Sequence, residues 1–108
     1  MKKYDKNSNL IYYKDSYGFE SWQEYDKNNN EIYFKNTNGI KVWYEYDENN
    51  NVIHYKDSTG FENWRKYDEN NKRIGITKKE FNFIKQKEEE KEYLARDKYS
   101  RFEILDIR

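Results

Sequence analysis

A repeat of 21 residues runs through most of the chain and limits the folds that are open to it. The dipeptide Tyr-Asp marks the repeat at residues 4–5, 25–26, 46–47 and 67–68. Other columns keep the same spacing: Ile11, Ile32, Ile53 and Ile74; Gly18, Gly39 and Gly60; Trp22, Trp43 and Trp64; Lys14, Lys35 and Lys56. Columns that stay in phase without an insertion indicate three full units and a truncated fourth, each of which needs its neighbours to bury its apolar side.

Each unit has the composition of a β-hairpin. In the second unit, residues 31–35 and 40–46 are rich in aromatic and β-branched residues, and residues 36–39 between them are turn residues that end in glycine. The wider breaks, such as residues 26–30, contain several asparagines, which tolerate positive φ. We therefore predict an antiparallel up-and-down meander of about eight strands over residues 1–76.

The turns set the register and decide which side chains share a face. If residues 15–19 close the first turn, Tyr12 lies opposite Trp22. Across the wider loop the pattern predicts that Tyr25 lies opposite Ile32, and both turns then give the same apolar face. That face carries Ile11, Tyr13, Phe19 and Tyr25, with their equivalents Ile32, Phe34, Ile40, Val42, Tyr44, Tyr46, Ile53, Tyr55, Phe61 and Tyr67. We expect it to be the core.

The opposite face alternates lysine and glutamate around one aromatic pair per unit. The pairs are Tyr12 with Trp22, Tyr33 with Trp43, and His54 with Trp64. Lys14 opposite Glu20 and Lys56 opposite Glu62 are expected to form cross-strand ion pairs. These six residues form an aromatic ladder, which has two interpretations. In the first, the pairs only stabilise a single-layer sheet, by about 0.2–1 kcal/mol each. In the second, the six positions form a partner-binding stripe, because Trp and Tyr concentrate in interface hot spots.

Residues 77–108 form a second part, so the fold class is mainly β with one C-terminal α-helix (α+β). The sequence Thr77-Lys78-Lys79-Glu80 is a capping box and predicts a helix that begins at Lys78. Phe81 and Ile84 start an apolar stripe that we expect to cover the core face. The charge run 85–92 is either a solvated helix face or a docking helix for a partner or a second copy of the chain. The tail, residues 102–107, is either a last short strand or an exposed anchor.

Composition argues against several function classes. The chain has 21 basic and 21 acidic residues, which disfavours nucleic-acid binding, and it has no cysteine. The first residues contain no signal-peptide hydrophobic region and the chain has no apolar run of membrane-spanning length, so we expect a cytoplasmic protein without membrane contact. His54 stands in the Tyr12 column and is expected to pair with Trp64. We predict no catalytic residue, no cofactor and no metal site. Residues 26–30 and 47–51 resemble part of a calcium loop but have Glu31 and Val52 where it needs glycine.

The series Tyr46-Asp47, Asn50-Asn51 and Ile53, followed by Gly60 and Tyr67-Asp68, resembles the YD repeat of RHS proteins over residues 4–76. It departs from that repeat where the usual glycine after the YD turn is asparagine. The large RHS parents build spiral sheets that enclose a toxin, which three units cannot do. Short arrays of this kind, rich in asparagine and lysine, also resemble small proteins of phages and mobile elements, some of which inhibit host defence, anti-CRISPR proteins included.

The resemblance implies a protein-binding inhibitor that occludes a site on a larger host protein, with a CRISPR effector as one candidate. The alternative is a carbohydrate- or cell-wall-binding module, because aromatic repeats of this length also resemble choline- and glucan-binding repeats. Stacking of nucleic-acid bases on the three tryptophans is a third possibility, which the zero net charge disfavours. A pull-down from a bacterial lysate separates the first two hypotheses.

Overall fold

The computed structural model describes the backbone of residues 1–107 and the side chains of residues 1–94. In this part of the chain, eight antiparallel strands form one sheet in chain order and a single helix follows, which confirms the predicted fold class. The strands are β1 (Lys2–Tyr4), β2 (Leu10–Lys14), β3 (Glu20–Tyr25), β4 (Glu31–Asn36), β5 (Lys41–Tyr46), β6 (Val52–Asp57), β7 (Glu62–Tyr67) and β8 (Arg73–Ile76), and the helix is α1 (Lys78–Ile107). The chain divides into two compact units, Met1–Gly75 and a second one that begins at Ile76.

The two kinds of hairpin loop share one geometry. The Asp15 amide donates to the Phe19 carbonyl at 3.0 Å, and the Asp26 amide donates to the Asn30 carbonyl at 2.9 Å. The fourth residue of each loop has positive φ, which glycine adopts without strain and asparagine tolerates. These residues are Gly18, Gly39 and Gly60 in one set of loops, and Ser8, Asn29, Asn50 and Asn71 in the other. The wider breaks of the sequence are therefore the same turn with asparagine, or serine at position 8, in place of glycine.

The loops that follow each Tyr-Asp dipeptide, such as residues 26–30, are called the Tyr-Asp loops. The strand pairing that the sequence predicts across them is wrong by one residue. Tyr25 pairs with Glu31 and Glu24 with Tyr33, so Ile32 is an extra residue in a β-bulge. The cause is the five-residue loop, which closes at Asn30 and makes residue 31 the next partner. Alternation along each strand still places Ile32 on the face of Tyr25, because Phe34 pairs with Gln23. The prediction of which side chains share a face is therefore confirmed.

We call the face that carries Trp22, Trp43 and Trp64 the tryptophan face, and the face that carries Tyr25, Tyr46 and Tyr67 the tyrosine face. The expectation that the tyrosine face is a buried core is wrong. Of residues 1–94, only Ser21, at 5% exposure, and Phe81, at 6%, are buried. Ile11, Ile32 and Ile53 are half-buried, and so are Tyr25, Tyr46 and Tyr67. The tyrosine rings are wide enough to stabilise the sheet through cross-strand contacts from half-buried positions.

Helix α1 begins where the capping box predicts. The Glu80 amide donates to Thr77 Oγ1 at 3.2 Å, and the Phe81 amide donates to the Thr77 carbonyl at 3.0 Å. The alternative of a strand at residues 102–107 is wrong, since α1 continues to Ile107; the chain has no proline and no glycine after Gly75 to end it. That α1 covers the tyrosine face stays a prediction. Within the described residues, no helix has an apolar stretch long enough to cross a membrane.

Candidate binding face

The three predicted aromatic pairs all form on the tryptophan face. Tyr12 lies opposite Trp22, Tyr33 opposite Trp43 and His54 opposite Trp64. The ring centroids of the three pairs are 5.7, 5.6 and 5.5 Å apart, and the first two pairs are tilted by 52° and 40°. The pairs step diagonally from strand β2 to strand β7. The structure therefore brings together all six side chains that the sequence proposes for a partner contact.

Lysines from the neighbouring strand lie over two of the tryptophan rings. The Lys35 ammonium is 5.0 Å from the centre of the Trp22 ring, and the Lys56 ammonium is 5.8 Å from that of Trp43. Such cation–π contacts contribute about 0.5–1 kcal/mol at exposed sites. One side of each ring is thus occupied within the sheet itself.

The predicted ion pairs Lys14–Glu20 and Lys56–Glu62 are not formed, although both pairs are opposite in register. Glu20 accepts a hydrogen bond from the Tyr12 hydroxyl at 2.5 Å instead. This hydrogen bond to a carboxylate raises the pKa of Tyr12, because it stabilises the protonated phenol. Glu20 therefore binds the aromatic side chain of Tyr12 rather than the lysine opposite it.

His54 makes the equivalent contact in the third unit and adds a second one. Its Nε2 is 2.7 Å from Glu62 Oε2, and its Nδ1 is 2.9 Å from Glu45 Oε1. The imidazole stacks on Trp64 with an interplanar angle of 11°. Each ring nitrogen of His54 therefore faces one carboxylate oxygen. His54 lies in the ladder, as its column predicts.

Trp43 is the tryptophan that solvent reaches most. It is 40% exposed, whereas Trp22 and Trp64 are half-buried. A shallow open depression beside it is lined by residues that include Tyr33, Glu45 and His54. A partner side chain can therefore contact the Trp43 ring without moving a strand.

The middle unit departs from the other two at a position that the sequence reasoning did not single out. Glu20 and Glu62 occupy equivalent columns, but the middle unit has Lys41 there, directly opposite Lys35. Two like charges opposite each other destabilise a strand pair. A comparison of the columns would have found this exception, which replaces a ring-binding carboxylate with a second ammonium group.

The tyrosine face has a different chemistry, because its hydroxyls bond to the backbone. The Tyr25, Tyr46 and Tyr67 hydroxyls donate to the carbonyls of Leu10, Glu31 and Val52, respectively, at 2.6–2.9 Å. Burial raises the pKa of Tyr25 and Tyr46, and the negative charge of Glu31 adds to the shift in both. Burial also raises the pKa of Glu31. Each of these tyrosines ties together the two strands of one hairpin, which is a structural role.

The Tyr-Asp loops are linked across the units by asparagine side chains. Asn9 donates to Asn29, Asn30 to Asn50 and Asn51 to Asn71, from Nδ2 to Oδ1 at 2.8 Å each. Within a loop, Asp26 Oδ1 accepts the amides of Asn28 and Asn30, both at 2.9 Å. The Tyr-Asp column, the strongest feature of the sequence, therefore belongs to the scaffold.

Among the side chains of residues 1–94, no three His, Asp or Glu groups come together in a geometry that could hold a metal ion. No protein-family model matches the chain, and no curated protein matches it significantly. The resemblance to the YD repeat therefore depends on the residues quoted above.

Proposed function

We propose that this chain is a non-catalytic, cytoplasmic protein-binding module that docks on a larger protein through its tryptophan face. The observation that carries the proposal is the position of Trp43: it lies in the middle of the ladder and is 40% exposed. Contact energy concentrates on aromatic residues near the centre of an interface. The tyrosine face supports the assignment by contrast, since its hydroxyls are used within the sheet.

The class of partner follows from the resemblance to small phage and mobile-element proteins. A chain of this origin that binds without chemistry acts by covering a site on its target. We therefore propose steric occlusion of a host defence protein, with a CRISPR effector as one candidate. The balanced charge, with 21 basic and 21 acidic residues, supports a protein rather than a nucleic acid as the partner.

Carbohydrate binding is the second candidate, because Tyr and Trp rings also stack on sugars. Stacking needs an open ring face. Ammonium groups lie over the Trp22 and Trp43 rings, and the His54 ring stacks on Trp64. These contacts leave at most one side of each tryptophan for a sugar, which favours the protein partner.

A pull-down with three immobilised proteins tests the proposal: the wild-type chain, Trp43→Ala and the control Phe61→Ala. Phe61 is 56% exposed and contacts Tyr55 on the tyrosine face, at a centroid distance of 5.8 Å. We expect mass spectrometry to find one stoichiometric bacterial protein on the wild-type chain and on Phe61→Ala, and to find it depleted on Trp43→Ala. Equal capture by all three proteins, or retention on cell-wall material alone, would contradict the proposal.

A further inference from the structure

The sheet has three loops that contain Gly18, Gly39 and Gly60, and the charged side chains at the strand ends beside these loops differ from unit to unit. In the first unit Lys14 is accompanied by Asp15 and Glu20, and in the third unit Lys56 is accompanied by Asp57 and Glu62. Each of these ends has one basic and two acidic side chains. The middle unit has Lys35, Asn36 and Lys41, which are two basic side chains and no acidic one. One electropositive end thus lies between two acidic ends.

The turn itself does not require this change. Asn36 Oδ1 accepts the amides of Asn38 and Ile40 at 2.9 and 3.2 Å. Asp15 Oδ1 accepts the equivalent amides in the first unit at 2.8 and 3.0 Å. Both side chains cap the loop, so the turn geometry does not account for the missing charge at position 36.

Lys41 carries a local cost to the sheet. It lies opposite Lys35, and neither lysine has a carboxylate within ion-pair distance among residues 1–94. The Lys35 ammonium lies over the Trp22 ring, so a carboxylate beside Lys41 would offset the like charges of the pair and form a charge-assisted hydrogen bond. The first and third units have Glu20 and Glu62 at this position, which bind Tyr12 and His54; the middle unit has no carboxylate there and is open to one from a partner.

The surroundings favour a compact anion on a protein over a nucleic acid. Trp43, at 40% exposure, provides apolar surface on the same face and strand as Lys41. An extended phosphate backbone that reached Lys41 would have to pass the acidic loop ends on either side. Nucleic-acid affinity also depends on several phosphate contacts at once, which two lysines do not provide.

We propose that Lys35, Lys41 and Trp43 form the docking point for a segment of the partner protein that pairs an Asp or Glu side chain with an apolar one. The proposal rests on the protein-binding function proposed above and names the chemistry of the partner. The carboxylate lies beside Lys41, and the apolar side chain lies against the Trp43 ring.

The test compares two variants with the same change of charge. Lys41→Glu gives the middle unit the residue of the Glu20 and Glu62 column. Lys66 lies on the same face in β7, and the other two units have Glu24 and Glu45 at its position in the repeat. Lys66→Glu is therefore a control with the same change of charge. Both variants should fold, since each adopts a residue that the repeat already uses. Lys41→Glu should be at least as stable as the wild type in urea, because it removes the repulsion of Lys35.

The probe is a fluorescein-labelled dodecapeptide of alternating Glu and Leu, and fluorescence anisotropy measures its binding. We expect saturable binding that Lys41→Glu weakens at least tenfold and Lys66→Glu changes less than about twofold. Equal weakening by both variants, equal binding of a peptide with Gln for Glu, or tighter binding of a dT oligonucleotide would overturn the inference. So would a lack of saturable binding up to about 1 mM.

The same variants separate this inference from the proposed function. If the bacterial protein captured by the wild-type chain is lost on both Trp43→Ala and Lys41→Glu, both proposals are supported. If it is lost only on Trp43→Ala, the acidic-segment inference fails and the protein-binding function stands. If neither variant changes its capture, both proposals fail.

Discussion

The two faces of the sheet use aromatic rings in different ways. On the tyrosine face, the hydroxyls of Tyr25, Tyr46 and Tyr67 donate to backbone carbonyls. On the tryptophan face, the Trp22 and Trp43 rings each pack against a tyrosine on one strand and a lysine on the other. A ring that is hydrogen-bonded to the backbone holds two strands together. A ring that packs against flexible side chains can exchange them for a partner at little structural cost.

If this division of roles is correct, substitutions on the tyrosine face should lower the free energy of unfolding more than substitutions on the tryptophan face. Replacing Tyr46 by Ala should lower it by about 2–3 kcal/mol, because the change deletes a half-buried ring and its hydrogen bond to Glu31. Tyr46→Phe removes only the hydrogen bond and should cost about 1 kcal/mol. Urea denaturation measures both. A loss below about 0.5 kcal/mol for Tyr46→Ala would show that the tyrosine face is not the structural one.

The Asp26 loop cap predicts a dependence of stability on pH. Burial raises the pKa of Asp26, but hydrogen bonds from the amides of Asn30 and Asn28 outweigh it and hold the pKa below the usual 3.8. The unfolded chain therefore binds more protons as the pH falls, and the contribution of Asp26, complete above pH 4, is lost as the pH falls through the folded-state pKa.

Asp26→Asn tests this, because Asn36 already caps an equivalent loop with an amide. Urea unfolding should find the wild type more stable than Asp26→Asn at pH 7, and the difference should shrink progressively as the pH falls through the unfolded-state and then the folded-state pKa of Asp26. The reverse variant, Asn36→Asp, should make stability more dependent on pH. A stability difference that is constant from pH 7 to pH 3 would mean that the charge of Asp26 does not stabilise the loop.

The sequence predicted the fold well because the fold repeats. The same tryptophan position recurs in three units, so its place in the strand does not depend on the interpretation of a single segment. The length of the turn then determines which residue lies opposite each tryptophan. The register error came from one position, since a bulge such as that at Ile32 changes the pairing without changing the alternation of faces. Deep burial of the tyrosine face was wrong because wide rings stabilise a sheet from half-buried positions.

The contacts of the charged side chains were the least predictable. Register places Lys56 opposite Glu62, but a lysine side chain is long enough to reach the Trp43 ring on the next strand instead. Glu62 is then left to bond His54. Such choices depend on small energy differences between alternative partners, which a column of residue types does not encode.

Replacing His54 by Tyr, the residue of the equivalent positions 12 and 33, should change the free energy of unfolding by less than about 1 kcal/mol. The new hydroxyl can bind Glu62 as Tyr12 binds Glu20, although the contact with Glu45 is lost. Partner binding should persist. A complete loss of binding with an intact circular dichroism spectrum would show instead that the imidazole itself acts in the function.

Trp43→Ala tests the central claim most directly, measured as affinity for the captured partner and as melting temperature on the same protein sample. The account predicts at least a tenfold loss of affinity, since a hot-spot tryptophan contributes about 2 kcal/mol or more to binding. It also predicts a smaller fall in melting temperature than Tyr46→Ala causes, because Trp43 is 40% exposed and its ring packs against the side chains of Tyr33 and Lys56, contacts that contribute about 1 kcal/mol or less each. Unfolding of the variant, or unchanged affinity in a folded variant, would contradict the account and assign the tryptophan ladder to the scaffold.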